Sequence, residues 1–134
     1  MKKIAVLGGG QVGASVAKIL TDDGNDITLV DNNASVLEDL QEDNDIKTIQ
    51  GNASSPSVLN QVELSDCDIL IATTASDEVN LVSCHLAKKM FNVPNVIARL
   101  RNAEYREKTS DFNLELFSID SIISPSQLVT DFIK

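Results

Sequence analysis

Residues 2–31 read KKIAVLGGGQVGASVAKILTDDGNDITLVD. An apolar run leads into the pattern Gly8-x-Gly10-x-x-Gly13, an amphipathic stretch follows, and a second apolar run ends at Asp31. This order predicts a strand, a tight turn, a helix and a second strand, which is the unit that holds an adenine dinucleotide in doubly wound α/β domains. The stretch therefore predicts a Rossmann-like fold with a dinucleotide site at the turn.

Each glycine of the motif has its own mechanical role. Gly8 permits the turn off the strand, Gly10 lets a pyrophosphate approach the backbone, and Gly13 lets the helix pack tightly on the strand. The first turn of the helix, which includes Gln11 and Val12, offers free N–H groups and the positive end of the helix dipole to phosphates. The same pattern also fits a glycine-rich turn that binds no ligand, but the flanking strands and the following acid favour the ligand site.

The acid at the end of the second strand bears on the choice of ligand. Asp31 follows Gly13 by 18 positions, close to the spacing of about 20 residues at which such an acid accepts hydrogen bonds from the adenosine ribose. A carboxylate there would repel a ribose 2′-phosphate, so the sequence favours NAD(H) over NADP(H). ATP, ADP and AMP carry the same ribose diol and stay open as alternatives.

Length, charge and composition limit the class of protein to which the chain can belong. The 134 residues suffice for one domain, 1–134, with its own core. The net charge of −9 argues against a nucleic-acid-binding surface. No run approaches the roughly 20 apolar residues of a membrane span, so we expect no direct membrane insertion. A strand predicted from residue 2 argues against a signal peptide. We expect Cys67 and Cys84 to be reduced structural cysteines of a cytosolic protein.

Strand and helix patterns alternate along the whole chain. The predicted strands lie near 2–7, 26–31, 46–50, 68–73, 95–100 and 115–119. The predicted helices lie near 11–23, 34–42, 56–62, 77–91, 103–110 and 125–133. This alternation predicts a doubly wound, six-stranded parallel sheet with helices on both faces. The helix at 77–91 carries an apolar stripe formed by Val79, Val82, Leu86 and Met90.

The last segment predicts a helix that leaves the domain. Ser124 and Pro125 suit the N-cap and first position of a helix, and an apolar stripe follows at Leu128, Val129, Phe132 and Ile133. We interpret residues 125–134 as a dimerisation or crossover helix that packs on a partner subunit. The uncovered stripe also fits a chain that is the N-terminal piece of a longer protein, and the two interpretations are compatible. The alternative is that the stripe packs on its own sheet.

Six sequence segments together resemble a known family. They are GGGQVG at 8–13, VD at 30–31, QGNA at 50–53, ATTASDEVN at 72–80, IARLR at 97–101 and ISP at 123–125. In this order they closely resemble the nucleotide-binding subdomain of the KTN/RCK family, in particular the N-terminal part of regulators of bacterial potassium uptake. The resemblance covers essentially the whole chain.

The resemblance implies a regulatory function and no enzymatic activity. Members of the family are cytoplasmic, bind NAD(H) or adenine nucleotides, and gate a membrane potassium channel allosterically. It implies homo-oligomers, as dimers or rings of dimers, that lie on the inner face of the cell membrane through the channel partner. It also implies that this chain is the N-terminal fragment of a longer regulator.

Candidate ligand-binding residues follow the strands, because ligands of open α/β sheets bind at the carboxyl ends of strands where the strand order reverses. The candidate cofactor-binding residues are Gly8, Gly10, Gln11, Val12, Gly13, Asp31, Asn32, Asn52, Ala53, Thr73, Thr74, Ala75 and Arg99. Asn52 stands where the family more often has Asp, and its other interpretation is a plain turn.

The segment after the fourth strand has two interpretations. Thr73 and Thr74 are predicted to contact the ligand, and the resemblance favours Thr74 and Ala75 and extends to Glu78 and Asn80. The other interpretation is that these residues only lead into a helix cap at Ser76 or Asp77.

Arg99 ends the fifth strand in an apolar context and needs an anionic partner, since an unpaired buried charge is costly. The partner is either a pyrophosphate, as the resemblance implies, or a carboxylate such as Asp77 or Glu78. We expect Arg101 to face solvent or another subunit.

The second functional class is the cofactor domain of an NAD-dependent oxidoreductase. Hydride transfer needs a second substrate and usually an acid or base beside the nicotinamide. The sequence places no histidine, lysine or tyrosine at a strand's carboxyl end, and Tyr105 and Lys108 are three positions apart rather than four. His85 has no partner at metal-ligand spacing, so we predict no metal site.

Overall fold

The computed structural model describes residues 1–106 and 114–123. Its strands are β1 (Lys3–Leu7), β2 (Asp26–Asp31), β3 (Lys47–Gln50), β4 (Ile69–Ala72), β5 (Asn95–Arg99) and β6 (Ser121–Ile123). Its α-helices are α1 (Gln11–Asp22), α2 (Ala34–Asp43), α3 (Pro56–Gln61), α4 (Asp77–Phe91) and α5 (Ala103–Arg106). Two 3₁₀ helices cover Leu64–Asp66 and Leu114–Phe117. No helix in the described ranges is long and apolar enough to cross a membrane.

All six strands pair in parallel, in the order β3-β2-β1-β4-β5-β6. Strand order reverses between β1 and β4, because the chain first builds the sheet outward to β3 and then returns to the other side of β1. Leu7 at the end of β1 pairs with Val30 of β2 and with Ala72 of β4. A crevice at the carboxyl ends of β1 and β4 is therefore the expected ligand position.

The sheet is covered on both faces. Ile4 and Val6 of β1 join a buried cluster with residues of α1 and α2, whereas Ala5 and Leu7 join a second cluster with residues of α3 and α4. The alternation follows from the two-residue period of a strand and explains why the central strands are apolar at nearly every position. The predicted doubly wound parallel fold is confirmed.

The sixth strand was predicted wrongly. Residues 114–117 form a 3₁₀ helix, and the strand comes later, at Ser121–Ile123. Ser118 takes a left-handed conformation with φ 60°, which breaks an extended run at this point. Asp120 then fixes the register, because its carboxylate accepts a hydrogen bond from the Val96 backbone at 2.8 Å.

Most other predicted elements agree with the structure within two residues. The helix predicted at 103–110 begins at Ala103 and is described as far as Arg106. The predicted terminal helix at 125–134 lies outside the described residues. The central strand β4 is buried on both faces, as its continuous apolar sequence indicates.

The apolar stripe predicted on α4 does not coincide with the buried face of that helix. Val82 and Met90 are 42% and 55% exposed. The helix instead buries Leu81, Cys84, Ala87, Phe91, Asn80 and Ser83. Val79 and Leu86, the other two residues of the stripe, are partly buried against the core. The predicted stripe therefore lies at the edge of the buried face, and apolar periodicity did not indicate the buried polar residues.

Both cysteines are free and buried. Burial raises the pKa of the Cys84 thiol to about 12, and the Asp120 carboxylate adds to the rise. Burial likewise raises the pKa of Cys67 to about 11. The thiols therefore stay protonated in the folded domain at neutral pH, where they behave as small apolar groups.

The raised pKa of Cys84 predicts a loss of stability at alkaline pH. The unfolded thiol ionises near its ordinary pKa of 9.0, whereas the folded thiol keeps its proton until about pH 12. The stabilising contribution is thus complete below pH 9 and is lost as pH rises toward 12. We expect the free energy of unfolding to fall by about 1.4 kcal/mol per pH unit from this thiol alone. Urea unfolding of the wild type and of Cys84→Ala, measured between pH 7 and pH 11 under reducing conditions, checks this. The prediction would be wrong if the free energy of unfolding fell equally with pH in both proteins.

Candidate functional site

A cleft of about 640 Å³ opens at the carboxyl ends of the strands. Described residues from the loops after β1, β2, β3, β4 and β5 line it. The lining residues are Gly8, Gly10, Gln11, Val12, Val30, Asp31, Asn32, Gly51, Asn52, Ala53, Thr73, Thr74, Ala75, Ser76, Val79, Arg99 and Arg101. Every predicted cofactor-binding residue except Gly13 is in this set.

The glycine loop is packed tightly on one side and open on the other. Gly8 has φ +101°, and a Cβ there would lie 2.9 Å from the Thr74 Cα. A Cβ on Gly13 would overlap the carbonyl oxygen of Gly8, so Gly13 lies behind the loop and sets how closely α1 approaches it. A Cβ on Gly10, by contrast, would meet no atom within 4 Å. The glycine loop is thus packed against Thr74 and α1, whereas the cleft side of Gly10 is open.

The N-terminus of α1 at the cleft has no side-chain cap. Gly10 is its N-cap residue, and the first turn contains no acidic residue. Two neighbouring helices differ, since Asn33 caps α2 and Ser76 caps α4 through side-chain oxygens. The first-turn N–H groups of α1 therefore remain available to an anion in the cleft.

Asp31 is held in place by the backbone around it. One carboxylate oxygen accepts a hydrogen bond from the Gly9 N–H at 2.7 Å, and the other accepts one from the Asn33 N–H at 2.8 Å. A carboxylate has about four lone-pair sites, so two remain for further donors. The geometry couples Asp31 directly to the glycine loop and keeps its capacity to accept hydroxyl groups.

Arg99 and Arg101 form the cationic part of the cleft. The Nε of Arg99 is buried and has no hydrogen-bond partner among the described residues. Burial lowers the pKa of Arg99, the adjacent Arg101 lowers it further, and Asp77 opposes the shift. Both effects indicate a positive charge that the protein only partly compensates.

The carboxylates proposed as alternative partners of Arg99 are engaged elsewhere. Asp77 accepts hydrogen bonds from the backbone N–H groups of Arg101 at 2.9 Å and Asn102 at 2.8 Å. Glu78 accepts one from the Tyr105 hydroxyl at 2.9 Å. Within residues 1–106 and 114–123, no ion pair joins Arg99 to an acid.

Arg101 is exposed, as the sequence predicts, and it also lines the cleft. The sequence-based set of cofactor-binding residues did not include it. The apolar lining by Val30 and Val79 was missed as well. Two valines carry no sequence signal that separates a cleft wall from a core.

The two threonines after β4 use their hydroxyl groups internally. Thr73 is buried, and its hydroxyl donates to the carbonyl of Leu7 at 3.0 Å, which joins the ends of β4 and β1. The Thr74 hydroxyl lies 2.7 Å from the Asn80 side-chain oxygen. Ser76 caps α4, as the second interpretation expects. Thr73 and Thr74 also line the cleft, and their contact with a ligand stays a prediction.

The loop after β3 is an Asn turn. The side-chain oxygen of Asn52 accepts hydrogen bonds from the Ser54 N–H and hydroxyl, each at 2.9 Å. Ala53 is buried, and its carbonyl accepts a hydrogen bond from Ser83 at 3.0 Å. Asn52 thus has the turn role that its sequence context allows, while it also lines the cleft.

His85 lies away from the cleft, with its ring edge-on to Phe117 at a centroid distance of 6.0 Å. In the described part of the chain, no group of three or more His, Cys, Asp or Glu side chains is placed to hold a metal ion.

Comparison with solved structures shows the fold. The TrkA-N domain of inner membrane protein YbaL from Escherichia coli superposes with a TM-score of 0.80 at 14% identity, covering 98% of this chain and 93% of that one. The GsuK channel bound to NAD gives 0.75 at 18% identity, over 91% of this chain and 21% of the channel. GsuK bound to ADP also gives 0.75 at 18%, over 92% and 31%.

Curated relatives are more similar in sequence. The Trk system potassium uptake protein TrkA of Haemophilus influenzae is 51% identical over 130 residues, 96% of this chain and 28% of the relative. The protein of that name from Vibrio alginolyticus is 44% identical over 133 residues, 98% of this chain and 29% of the relative. The chain thus spans under a third of these two relatives. Residues 4–125 match the TrkA-N domain, and this chain belongs to the TrkA-N domain family.

Proposed function

We propose that this domain binds NAD(H) or an adenine nucleotide and serves as a cytoplasmic regulatory part of a Trk-type potassium uptake system. The observation that carries the ligand proposal is the Arg99 guanidinium, whose buried Nε lacks a partner among the described residues, in a cleft that also contains an uncapped helix N-terminus. The names of the relatives, potassium uptake proteins, support the transport proposal.

We infer the direction of the ligand in the cleft from the order of the strands. β2 and β3 lie on one side of β1, and β4 and β5 lie on the other. The adenosine ribose would bind at Asp31 and the adenine beside Asn52 and Ala53. The phosphates would lie over Gly10 at the start of α1, with Arg99 on their far side.

We further infer that the ligand acts by shifting the population of assembly states. It would bridge the glycine loop, Asp31 and Arg99, and so fix the relative positions of strands from both halves of the sheet. Such a ligand regulates only if it binds one state better, and a difference of about 1–3 kcal/mol is typical of allosteric coupling. The partner would be a membrane potassium channel at the inner face of the cell membrane, contacted by a homo-oligomer that forms through residues 125–134.

We do not propose an enzymatic function. The described lining of the cleft contains no histidine, lysine or tyrosine to transfer a proton beside a nicotinamide. The fold alone does not separate a sensor from an oxidoreductase. The relatives named for potassium uptake favour the sensor, within a longer regulator of which this chain would be the N-terminal domain.

The proposal is tested by titrating the purified domain calorimetrically with NADH, NAD⁺, NADPH, ATP and ADP. We expect binding of NADH or an adenine nucleotide and rejection of NADPH, because the Asp31 carboxylate repels a 2′-phosphate. Asp31→Ala should weaken NADH and ADP alike. Failure of every nucleotide to bind would contradict the ligand proposal, and unchanged binding in Asp31→Ala would remove the ribose role of this residue.

The transport part of the proposal needs a cellular measurement. We expect the Asp31→Ala substitution, introduced into the full-length protein in its cells, to change the initial rate of potassium uptake. An uptake rate that does not differ from wild type, with the variant present at normal abundance, would contradict a regulatory role of the site.

A pair of glycine substitutions separates ligand binding from folding. Gly10→Ala adds a methyl group in open space at φ −70°, so the thermal unfolding midpoint should change little while nucleotide affinity falls. Gly13→Ala forces a methyl group onto the Gly8 carbonyl and should lower the midpoint by several degrees. Calorimetric binding and thermal unfolding of both variants check this. Retained affinity in Gly10→Ala would show that no phosphate lies there.

Arg99→Ala tests the phosphate contact. We expect ADP affinity to fall by about tenfold or more, the cost of losing a charge-assisted hydrogen bond, while adenosine affinity changes little. Lys89→Ala, which removes a positive charge from the exposed surface, is the matched control. Equal losses for ADP and adenosine would place Arg99 in a purely structural role.

A further inference from the structure

Three polar residues on α4 hold three loops of the cleft. Asp77, Asn80 and Ser83 are three positions apart and therefore lie along one side of the helix. Asp77 binds the backbone after β5, Asn80 binds the backbone after β4 and at the end of β5, and Ser83 binds the backbone after β3. Asn80 and Ser83 are 0% exposed. One helix thus fixes the loops from both halves of the sheet.

Asn80 has the central place in this arrangement. Its side-chain oxygen accepts hydrogen bonds from the Thr74 N–H at 2.9 Å and the Thr74 hydroxyl at 2.7 Å. Its amide nitrogen donates to the carbonyls of Thr74 at 3.2 Å and Arg99 at 2.8 Å. Two donors and two acceptors match the full capacity of an amide, so the partners also determine which end is oxygen.

These hydrogen bonds set the distance between two parts of the cleft wall. Thr74 touches the glycine loop, since a Cβ on Gly8 would lie 2.9 Å from its Cα. Arg99 carries the partly compensated positive charge, and its backbone carbonyl accepts a hydrogen bond from Asn80. Asn80 itself does not line the cleft. Its effect on a ligand must therefore pass through Thr74 and Arg99.

We propose that Asn80 is a positioning residue for the phosphate-binding half of the cleft, an inference that rests on the proposed nucleotide binding. Asn80 holds the loop after β4 against the end of β5, so that the glycine loop and Arg99 meet the same phosphate group. Loss of Asn80 releases Arg99 from Thr74 and leaves Asp31 and its backbone donors in place.

The test compares ADP with adenosine, because the two differ only in the phosphates. Affinities of the full chain are measured calorimetrically for the wild type, Asn80→Ala and Ser83→Ala. We expect the ratio of ADP to adenosine affinity to fall about tenfold in Asn80→Ala, as expected when a charged contact is displaced. Ser83→Ala is the matched control. It loses a buried hydrogen bond from the same helix to the adenine-side loop, so the ratio should not fall.

Asn80→Ser provides a second variant in case Asn80→Ala does not fold, because a serine hydroxyl keeps one hydrogen-bonding group at this position. The same fall in the ratio is expected. A ratio that stays at the wild-type value in a folded Asn80 variant, with both affinities lowered equally, would overturn the positioning role. If the wild type binds neither ADP nor any other nucleotide, the proposed function itself fails, and that result is distinct from an unchanged ratio.

Discussion

The structure depends on the close contact between the start of α1 and the end of β1. A Cβ at Gly13 would overlap the Gly8 carbonyl oxygen and lie 2.7 Å from the Thr73 hydroxyl oxygen. The Thr73 hydroxyl in turn donates to Leu7, so the ends of β1 and β4 and the beginning of α1 meet at one point. This is the point where the strand order reverses. The cleft exists because three elements converge there and leave the side above Gly10 open.

The sequence predicted this region well because its determinants are local. The glycine motif, the strands on either side of it and Asp31 lie within 30 consecutive residues, and the ends of parallel strands meet at one edge of any such sheet. The prediction of the sixth strand failed because the position of this strand depends on contacts that are not local in sequence. A strand is predicted near 115–119, but the left-handed residue Ser118 interrupts that stretch. The hydrogen bond from the Val96 backbone to Asp120 supports the strand at 121–123 instead.

The orientation of α4 shows a second limit of sequence reasoning. Apolar periodicity selects the stripe that includes Val82 and Met90, yet the buried side contains Asn80 and Ser83. A buried polar side chain is acceptable only where its partners are present. Those partners are backbone groups of Thr74, Arg99 and Ala53, which are brought to the helix by the fold. The polar contacts of the cleft wall are thus a tertiary property that local patterns do not contain.

The cleft has opposite charges at its two ends. The Asp31 carboxylate lies beside β2, whereas the guanidinium groups of Arg99 and Arg101 lie beyond β5, in a chain whose net charge is −9. An elongated ligand with a neutral, hydroxyl-rich end and an anionic end would meet a different environment in each of its two orientations. Reversing it would set the anionic end against the carboxylate and leave both arginines facing uncharged groups. The charges of the cleft therefore favour one orientation of any ligand that is neutral at one end and anionic at the other.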